Sequence, residues 1–308
     1  MTNTIEYGLR ELKIDGIRVV ELDGVADLDV AKTFDCGQCF RFEPVENSRH
    51  DKEFAGVAYG RLVSFGQDGN KLYIYNATEA DYNNIWRSYL GLDRDYSRIC
   101  DDILSRSDNQ ALREAVEVGR GIRILRQQDW ETVCSFIISQ NNNIPRIKKI
   151  ISALSERCGE QIDARDMQAH GAPDSVAYAF PAADAVLELG VDEIFALKTG
   201  FRAKYIADAA EKCTCGRVDL TALCSMPTAE AAETLKCIKG IGDKVAACSL
   251  LFGFGKLDAF PVDVWIKKVI EKYFEVSPKD FTPSILGDYA GIAQQYLFYY
   301  ERYINQGE

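Results

Sequence analysis

Between Ile17 and Tyr75, short hydrophobic runs alternate with turn residues. Ile17–Leu22, Cys39–Phe42, Phe54–Val63 and Lys71–Tyr75 read as strands. Gln67-Asp68-Gly69-Asn70 carries hairpin turn chemistry just before the last of them. A small antiparallel sheet follows. From Thr78 onward the apolar spacing lengthens to that of helices. Thr78–Leu90 sets Ile85, Trp86, Tyr89 and Leu90 on one face, and Tyr96–Leu104 and Gln110–Val118 continue the pattern. Gly119-Arg120-Gly121 is the expected hinge before a larger helical body.

In that body, Asp129 is the predicted N-cap of Trp130–Ser139, a segment apolar nearly all round and therefore buried. Gln140-Asn141-Asn142-Asn143 follows. Four consecutive amides need too many partners for a core, so they predict a polar loop. Asn143 caps the next helix and Pro145 fits its first turn. Ile147, Ile150, Ile151 and Leu154 form its stripe, and Gly159 ends it. Residues 160–190 are less regular. Val191–Leu197 reads as a helix ended by Gly200, and Phe201 to Lys204 open another. Further helices are expected over Thr228–Cys237, from Asp243, through Ile266–Tyr273, and over Tyr289–Asn305. The fold class is α+β: an antiparallel sheet domain with flanking helices over 1–119, then a helical domain over 120–308.

Composition changes this picture little. The 308 residues are 47% hydrophobic and 27% charged, as in ordinary globular chains. No run is long enough for a membrane span, and the start lacks the pattern of a signal peptide. The expected compartment is the cytoplasm, at the nucleoid or in the nucleus according to the cell. A net charge of −11 argues against a generally basic nucleic-acid binder, but not against local phosphate contacts. Positive groups gathered on one face and salt-sensitive binding are then expected. Ten cysteines suggest a metal check. Cys36 and Cys39 form a C-x-x-C with no second pair at zinc spacing, and Cys213, Cys215 and Cys224 lack an obvious fourth ligand. The expectation is no metal and no cofactor. Two histidines, His50 and His170, leave little room for triad chemistry.

The chemistry concentrates in the stretch from Lys236 to Trp265, around a hairpin over about 228–253. Gly240-Ile241-Gly242 turns tightly between two helices and leaves backbone N–H groups uncovered at a helix N-terminus, which suits a phosphate. Alone, Gly-x-Gly is commonly only a cap and turn. Here Lys244 follows directly, and Asp263 opens another helix after Pro261. An amine attacks carbon only when neutral, a form favoured by a helix N-terminus and by apolar neighbours such as Val245 and Ala246. A carboxylate kept ionised by a helix dipole stabilises the cationic transition state of glycosidic cleavage. Each residue also has a plain reading, Lys244 as a surface phosphate contact and Asp263 as an N-cap. Taken together they describe displacement of a base from a sugar carbon, a Schiff base and β-elimination.

Leu235–Lys268 resembles the helix-hairpin-helix plus Gly/Pro-Asp signature of a DNA glycosylase superfamily. In detail the chain is similar, over nearly its whole length, to the 8-oxoguanine DNA glycosylase/AP lyase family. That resemblance implies a helical body in two parts with DNA in the cleft between them. It implies Lys244 as nucleophile and Asp263 as its electrostatic partner. Gly37-Gln38-Cys39-Phe40-Arg41 resembles the segment whose glycine carbonyl accepts the N7–H of the oxidised base. Gln294 and Phe298, four apart on one helix, resemble the glutamine at the base edge and the stacking phenylalanine, and Cys248 the residue on the other face. Asn141 resembles the residue filling the vacated stack, and Arg146 and Arg202 those gripping the opposite cytosine. Phe201 resembles the intercalating wedge, where many relatives have tyrosine. Trp265 stands where eukaryotic relatives have a phosphate-binding histidine. Gly240 and Gly242 would hold the backbone. Some relatives carry an iron–sulfur cluster on cysteines after the Asp segment, but no cysteine follows Cys248. The implied partner is double-stranded DNA containing oxidised guanine, with no membrane and a monomeric chain. The alternatives are a monofunctional glycosylase for alkylated or other damaged bases, and a non-catalytic helix-hairpin-helix DNA-binding protein.

Overall fold

A computed structural model describes residues 5–173 and 177–304. Asn305, the expected end of the last helix, lies outside them. The N-terminal part is a six-stranded antiparallel sheet in the order β1-β2-β6-β5-β4-β3. The strands are β1 (Gly8–Ile14), β2 (Ile17–Asp23), β3 (Phe42–Pro44), β4 (Lys52–Ala58), β5 (Arg61–Asp68) and β6 (Lys71–Tyr75). Two features depart from the expected strands. Phe54–Val63 is two strands, because Tyr59 and Gly60 both take positive φ (54° and 67°) and fold a two-residue turn closing on Ala58 and Arg61. Cys39–Arg41 is loop, and β3 starts at Phe42. A short helix, α1 (Val30–Asp35), capped by Asp29, delivers the chain to that loop.

One face of the sheet buries Val20, Leu22, Phe65, Leu72 and Ile74 with Phe34 of α1 and with Trp86 and Tyr89. Those last two come from a helical stretch entered at Thr78, whose hydroxyl and Asp81 form a reciprocal cap. The other face carries Val19, Val57, Leu62 and Tyr75 and is covered by Ala164, Met167 and Ala172. The irregular 160–173 region therefore returns to the sheet instead of staying with the helices.

The helical part is built from α2 (Tyr96–Ser105), α3 (Gln110–Gly119), α4 (Asp129–Ser139), α5 (Ile144–Cys158), α6 (Arg165–Ala169), α7 (Ala183–Ile194), α8 (Ala203–Thr214), α9 (Thr228–Lys236), α10 (Asp243–Phe254), α11 (Val264–Tyr273) and α12 (Ala290–Tyr299). α4 is buried as expected, but its N-cap is Gln128; Asp129 is the first helical residue and accepts from the Trp130 N–H. Asn143 caps α5 through Arg146 N and Gly159 ends it. The helix expected from Val191 already begins at Ala183 and is broken at Gly190 (φ 78°). The Gly119–Gly121 segment is clamped, not hinge-like. A side chain at Gly119 would strike the Tyr296 ring, and Gly121 O accepts from Asp29 N and the Thr33 hydroxyl. Sheet and helices are therefore joined where the α1 loop, α4, α10, α11 and α12 bring their ends together.

Candidate functional site

These ends border an open cavity of about 1010 Å³. Eight of the residues singled out above line it: Gly37, Asn141, Phe201, Gly242, Lys244, Asp263, Trp265 and Phe298. Cys248 and Gln294 lie buried, and Gly240, Arg146 and Arg202 stand off its wall.

The hairpin sets one wall. Gly240 has φ +85°, and a Cβ there would lie 2.2 Å from the Tyr205 ring, so both backbone and packing demand glycine. Lys239 N donates to Asp208 Oδ2, which also binds the Lys212 ammonium, while Lys212 reaches Cys237 O; the turn is held from behind. Gly242 caps α10 in an extended conformation, and a Cβ on it would meet nothing within 4 Å. The first-turn N–H groups of Asp243, Lys244 and Val245 find no acceptor among the described residues, as at any open helix start.

Lys244 points from this first turn into the cavity, half-buried, its Nζ 5.6 Å from the centre of the Phe136 ring. One turn on, burial pushes the Cys248 thiol up to about 11; the Lys244 charge opposes that shift and the Asp263 charge adds to it. The amine, thiol and carboxylate therefore share one electrostatic neighbourhood. Asp263 caps α11, its Oδ1 accepting from Trp265 N at 3.0 Å and Ile266 N at 2.9 Å. It forms no ion pair with Lys244, although both face the same space. Trp265 is half-buried and lies under the Lys268 ammonium, 4.6 Å from its ring centre.

The opposite wall is the loop after α1. Gly37 has φ +83° and is followed by Gln38, fully buried. The Gln38 side-chain N–H₂ donates to Thr33 O and Arg123 O, and its oxygen accepts from Leu125 N. Phe40 packs edge-on against Phe136. Arg41 donates to Tyr178 O and lies 3.8 Å from Glu131, in a site where burial lowers the Arg41 pKa and raises that of Glu131. Thus four residues of the Gly-Gln-x-Phe-Arg segment anchor or border the cavity. Gln294 is 4% exposed and its Oε1 has no hydrogen-bond partner among the described residues. Phe298 faces the cavity one turn later.

At the third side, Asn141 takes φ +47° at the exposed tip of the α4–α5 turn. Arg202 is buried, with donors to Gln140 O, Asn141 O and Thr199 O, and its guanidinium lies 4.5 Å over the Phe201 ring. It therefore braces the Asn141 turn and the exposed Phe201 together. Arg146 is exposed, with one long contact to Lys198 O. Burial, then the Arg146 charge, lowers the Arg202 pKa, so the two arginines are neighbours.

The reading from sequence passed over Phe136, Lys267 and Arg302, which also line the cavity. Arg302 was legible as the next i+4 step after Gln294 and Phe298, and it lies over the Phe298 ring. In sequence, Phe136 shows only as part of the buried Trp130–Ser139 segment. No group of three or more potential metal ligands exists among the described residues, Cys213, Cys215 and Cys224 included. No described helix is long and apolar enough to cross a membrane.

Known proteins share this fold. Residues 22–133 match the 8-oxoguanine DNA glycosylase N-terminal domain, and residues 134–285 the HhH-GPD superfamily base excision DNA repair protein. MBOgg1, solved with a low-affinity DNA ligand, is 39% identical across 99% of this chain and 100% of that one, with a TM-score of 0.85. The Clostridium acetobutylicum 8-oxoguanine glycosylase/lyase, solved with DNA containing cytosine opposite 8-oxoG, is 36% identical across 97% and 98%, also at 0.85. The N-glycosylase/DNA lyase of Saccharomyces cerevisiae is 32% identical over 201 residues, 61% of this chain but only half the length of that relative. Matched from end to end by two such structures, the chain belongs to the 8-oxoguanine DNA glycosylase family of the helix-hairpin-helix superfamily.

Proposed function

We propose that this protein is a bifunctional DNA glycosylase and AP lyase that removes 8-oxoguanine from duplex DNA. The observation that carries the reading is that Lys244 and Asp263, each at the start of its own helix, open on one cavity whose far wall is the Gly37 loop. The cavity suits a nucleotide turned out of the stack, which is the only way its C1′ becomes accessible. The neutral Lys244 amine attacks C1′, and the glycosidic bond breaks with its electron pair passing to N9 of the leaving base, which takes up a proton. The nitrogen loses a proton, the sugar ring opens, and a Schiff base results. Removal of a C2′ proton then expels the 3′ phosphate. Asp263 counters the positive charge on the sugar while the bond breaks. Gly37 offers its carbonyl to the N7–H that guanine lacks, Phe298 and Cys248 hold the two faces of the base, and Gln294 reads its edge. Asn141, Arg146, Phe201 and Arg202 meet the opposite strand, and Gly240, Gly242 and Trp265 the backbone.

Borohydride trapping tests the reading. Wild-type protein with duplex carrying 8-oxoguanine opposite cytosine gives a covalent complex. Lys244→Gln gives none, and excision falls at least about 10³-fold. A wild type that is not trapped ends the lyase assignment; a trapped Lys244→Gln moves the nucleophile elsewhere. Excision of alkylated bases without trapping would favour the monofunctional alternative.

A further inference from the structure

The Gly37 loop is held by a residue outside the chemistry described so far. Gln295, 3% exposed on α12, donates its side-chain N–H to the carbonyl of Cys36 at 3.0 Å. On the other flank, the Gln127 side chain donates to the carbonyl of Gln38 at 2.7 Å. The carbonyl between them, that of Gly37, accepts no hydrogen bond from any described residue. Peptide groups are planar, so fixing the two flanking carbonyls restricts where the middle one points. The restriction matters most at glycine, whose φ and ψ are otherwise the least confined. Gln295 also directly follows Gln294. One helix therefore carries a buried amide whose oxygen has no partner among the described residues and, next to it, the donor that ties this helix directly to the loop.

We propose that Gln295 is a specificity-determining positioning residue, which aims the Gly37 carbonyl by holding the Cys36–Gly37 peptide against α12. The proposal rests on the reading above in which Gly37 accepts the N7–H of the oxidised purine. It touches base recognition alone. Strand cleavage at a site that has already lost its base uses Lys244 and Asp263 without an occupied base pocket.

The test compares wild type with Gln295→Met, which keeps length and volume but loses the donor. Two single-turnover rates are measured: base excision from 8-oxoguanine opposite cytosine, and strand cleavage at a preformed abasic site opposite cytosine. Loss of one such hydrogen bond corresponds to about three- to tenfold. Excision falls by that factor while abasic-site cleavage is unchanged. In a Lys244→Gln background, the ratio of affinities for lesion and undamaged duplex narrows by about the same three- to tenfold factor. Parallel falls in both rates, or no fall in either, overturn the proposal. A wild type that cleaves abasic sites but leaves 8-oxoguanine in place refutes the Gly37 reading itself, a distinct result. Gln295→Glu gives a second route should the Met variant fold poorly. Its buried carboxyl donates when protonated and repels the Cys36 carbonyl when ionised, so its excision deficit shrinks as pH falls from about 8 to about 6. A deficit that is flat with pH counts against the proposal.

Discussion

Asp263 joins an observed cap to a proposed electrostatic task, and substitution can separate the two. Its Oδ1 caps α11 through two N–H groups, while its charge faces the cavity shared with Lys244. Asn retains a cap acceptor and loses the charge; Ala loses both. Asp263→Asn should therefore unfold at nearly the wild-type temperature yet lose about 10²–10³-fold in excision rate, the scale of a preorganised electrostatic contact. Asp263→Ala should lose the same rate and about 1 kcal/mol of stability as well. Thermal unfolding beside single-turnover kinetics decides the point; equal rates for Asp263→Asn and wild type would leave Asp263 a cap alone. At this scale the site was largely legible. The spacing of Gly240, Gly242, Lys244 and Asp263 states a tight glycine turn, an amine and a capping acid in plain sequence. Arg202 was not legible in the same way. Its chemistry suggests a fork for a base edge, but only folding reveals that most of its donors already serve the Gln140, Asn141 and Thr199 carbonyls.

The hairpin and the sheet show what sequence makes plain at the level of elements. The two hairpin glycines look alike in sequence and differ in the fold. Gly240→Ala forces a left-handed φ onto a Cβ that strikes Tyr205, so a loss of about 1–3 kcal/mol and weaker DNA binding are expected. Gly242→Ala meets open space and should cost little stability, and any loss it brings should be in DNA binding. Urea unfolding and duplex binding of both variants check this. Strand β1 went unread because it is an edge strand with mostly exposed positions, although Asp15-Gly16, both at positive φ, announces its hairpin. Helix α1 went unread because six residues are too few to show a 3.6-residue period. The return of 160–173 to the sheet has its own lock. Glu53 on β4 accepts from His170 at 2.7 Å and from the Ser48 and Ser64 hydroxyls, and His170 stacks on Tyr75. Burial pushes the Glu53 carboxyl up, but these donors outweigh it and hold it below its ordinary value. A depressed folded-state pKa stabilises the fold above the unfolded value of about 4.3 and is lost as pH falls through the folded one. Stability measured from neutral pH downward should therefore drop more steeply in that acid range for wild type than for Glu53→Gln; parallel curves would remove Glu53 from the account.

Over the whole molecule, a net charge of −11 opposes DNA, so binding must be carried by where the cations sit. Lys244, Lys267 and Arg302 line the cavity, and the exposed Arg146 and Lys239 flank it on the α4–α5 turn and the hairpin. Arg146, Lys239 and Lys267 make no salt bridge among the described residues, whereas many other surface cations are already paired with acids. A cation whose charge is uncompensated within the protein is the one that releases a counterion when a phosphate arrives. If four or five cations of this face engage phosphates, affinity for duplex should fall on the order of 10²–10³-fold between about 50 and about 200 mM salt. Removing two of them tests the assignment more sharply than removing all. Lys239→Gln combined with Lys267→Gln should shrink the slope of log affinity against log salt by about two, while weakening lesion and undamaged duplex to the same degree. The double variant should keep its ratio of excision rates between lesions, since Lys239 lies off the cavity and Lys267, though it lines the cavity, is not among the residues proposed to touch the base. A slope unchanged by the double substitution would place the DNA on another face, away from the cavity that Lys244 and Asp263 share.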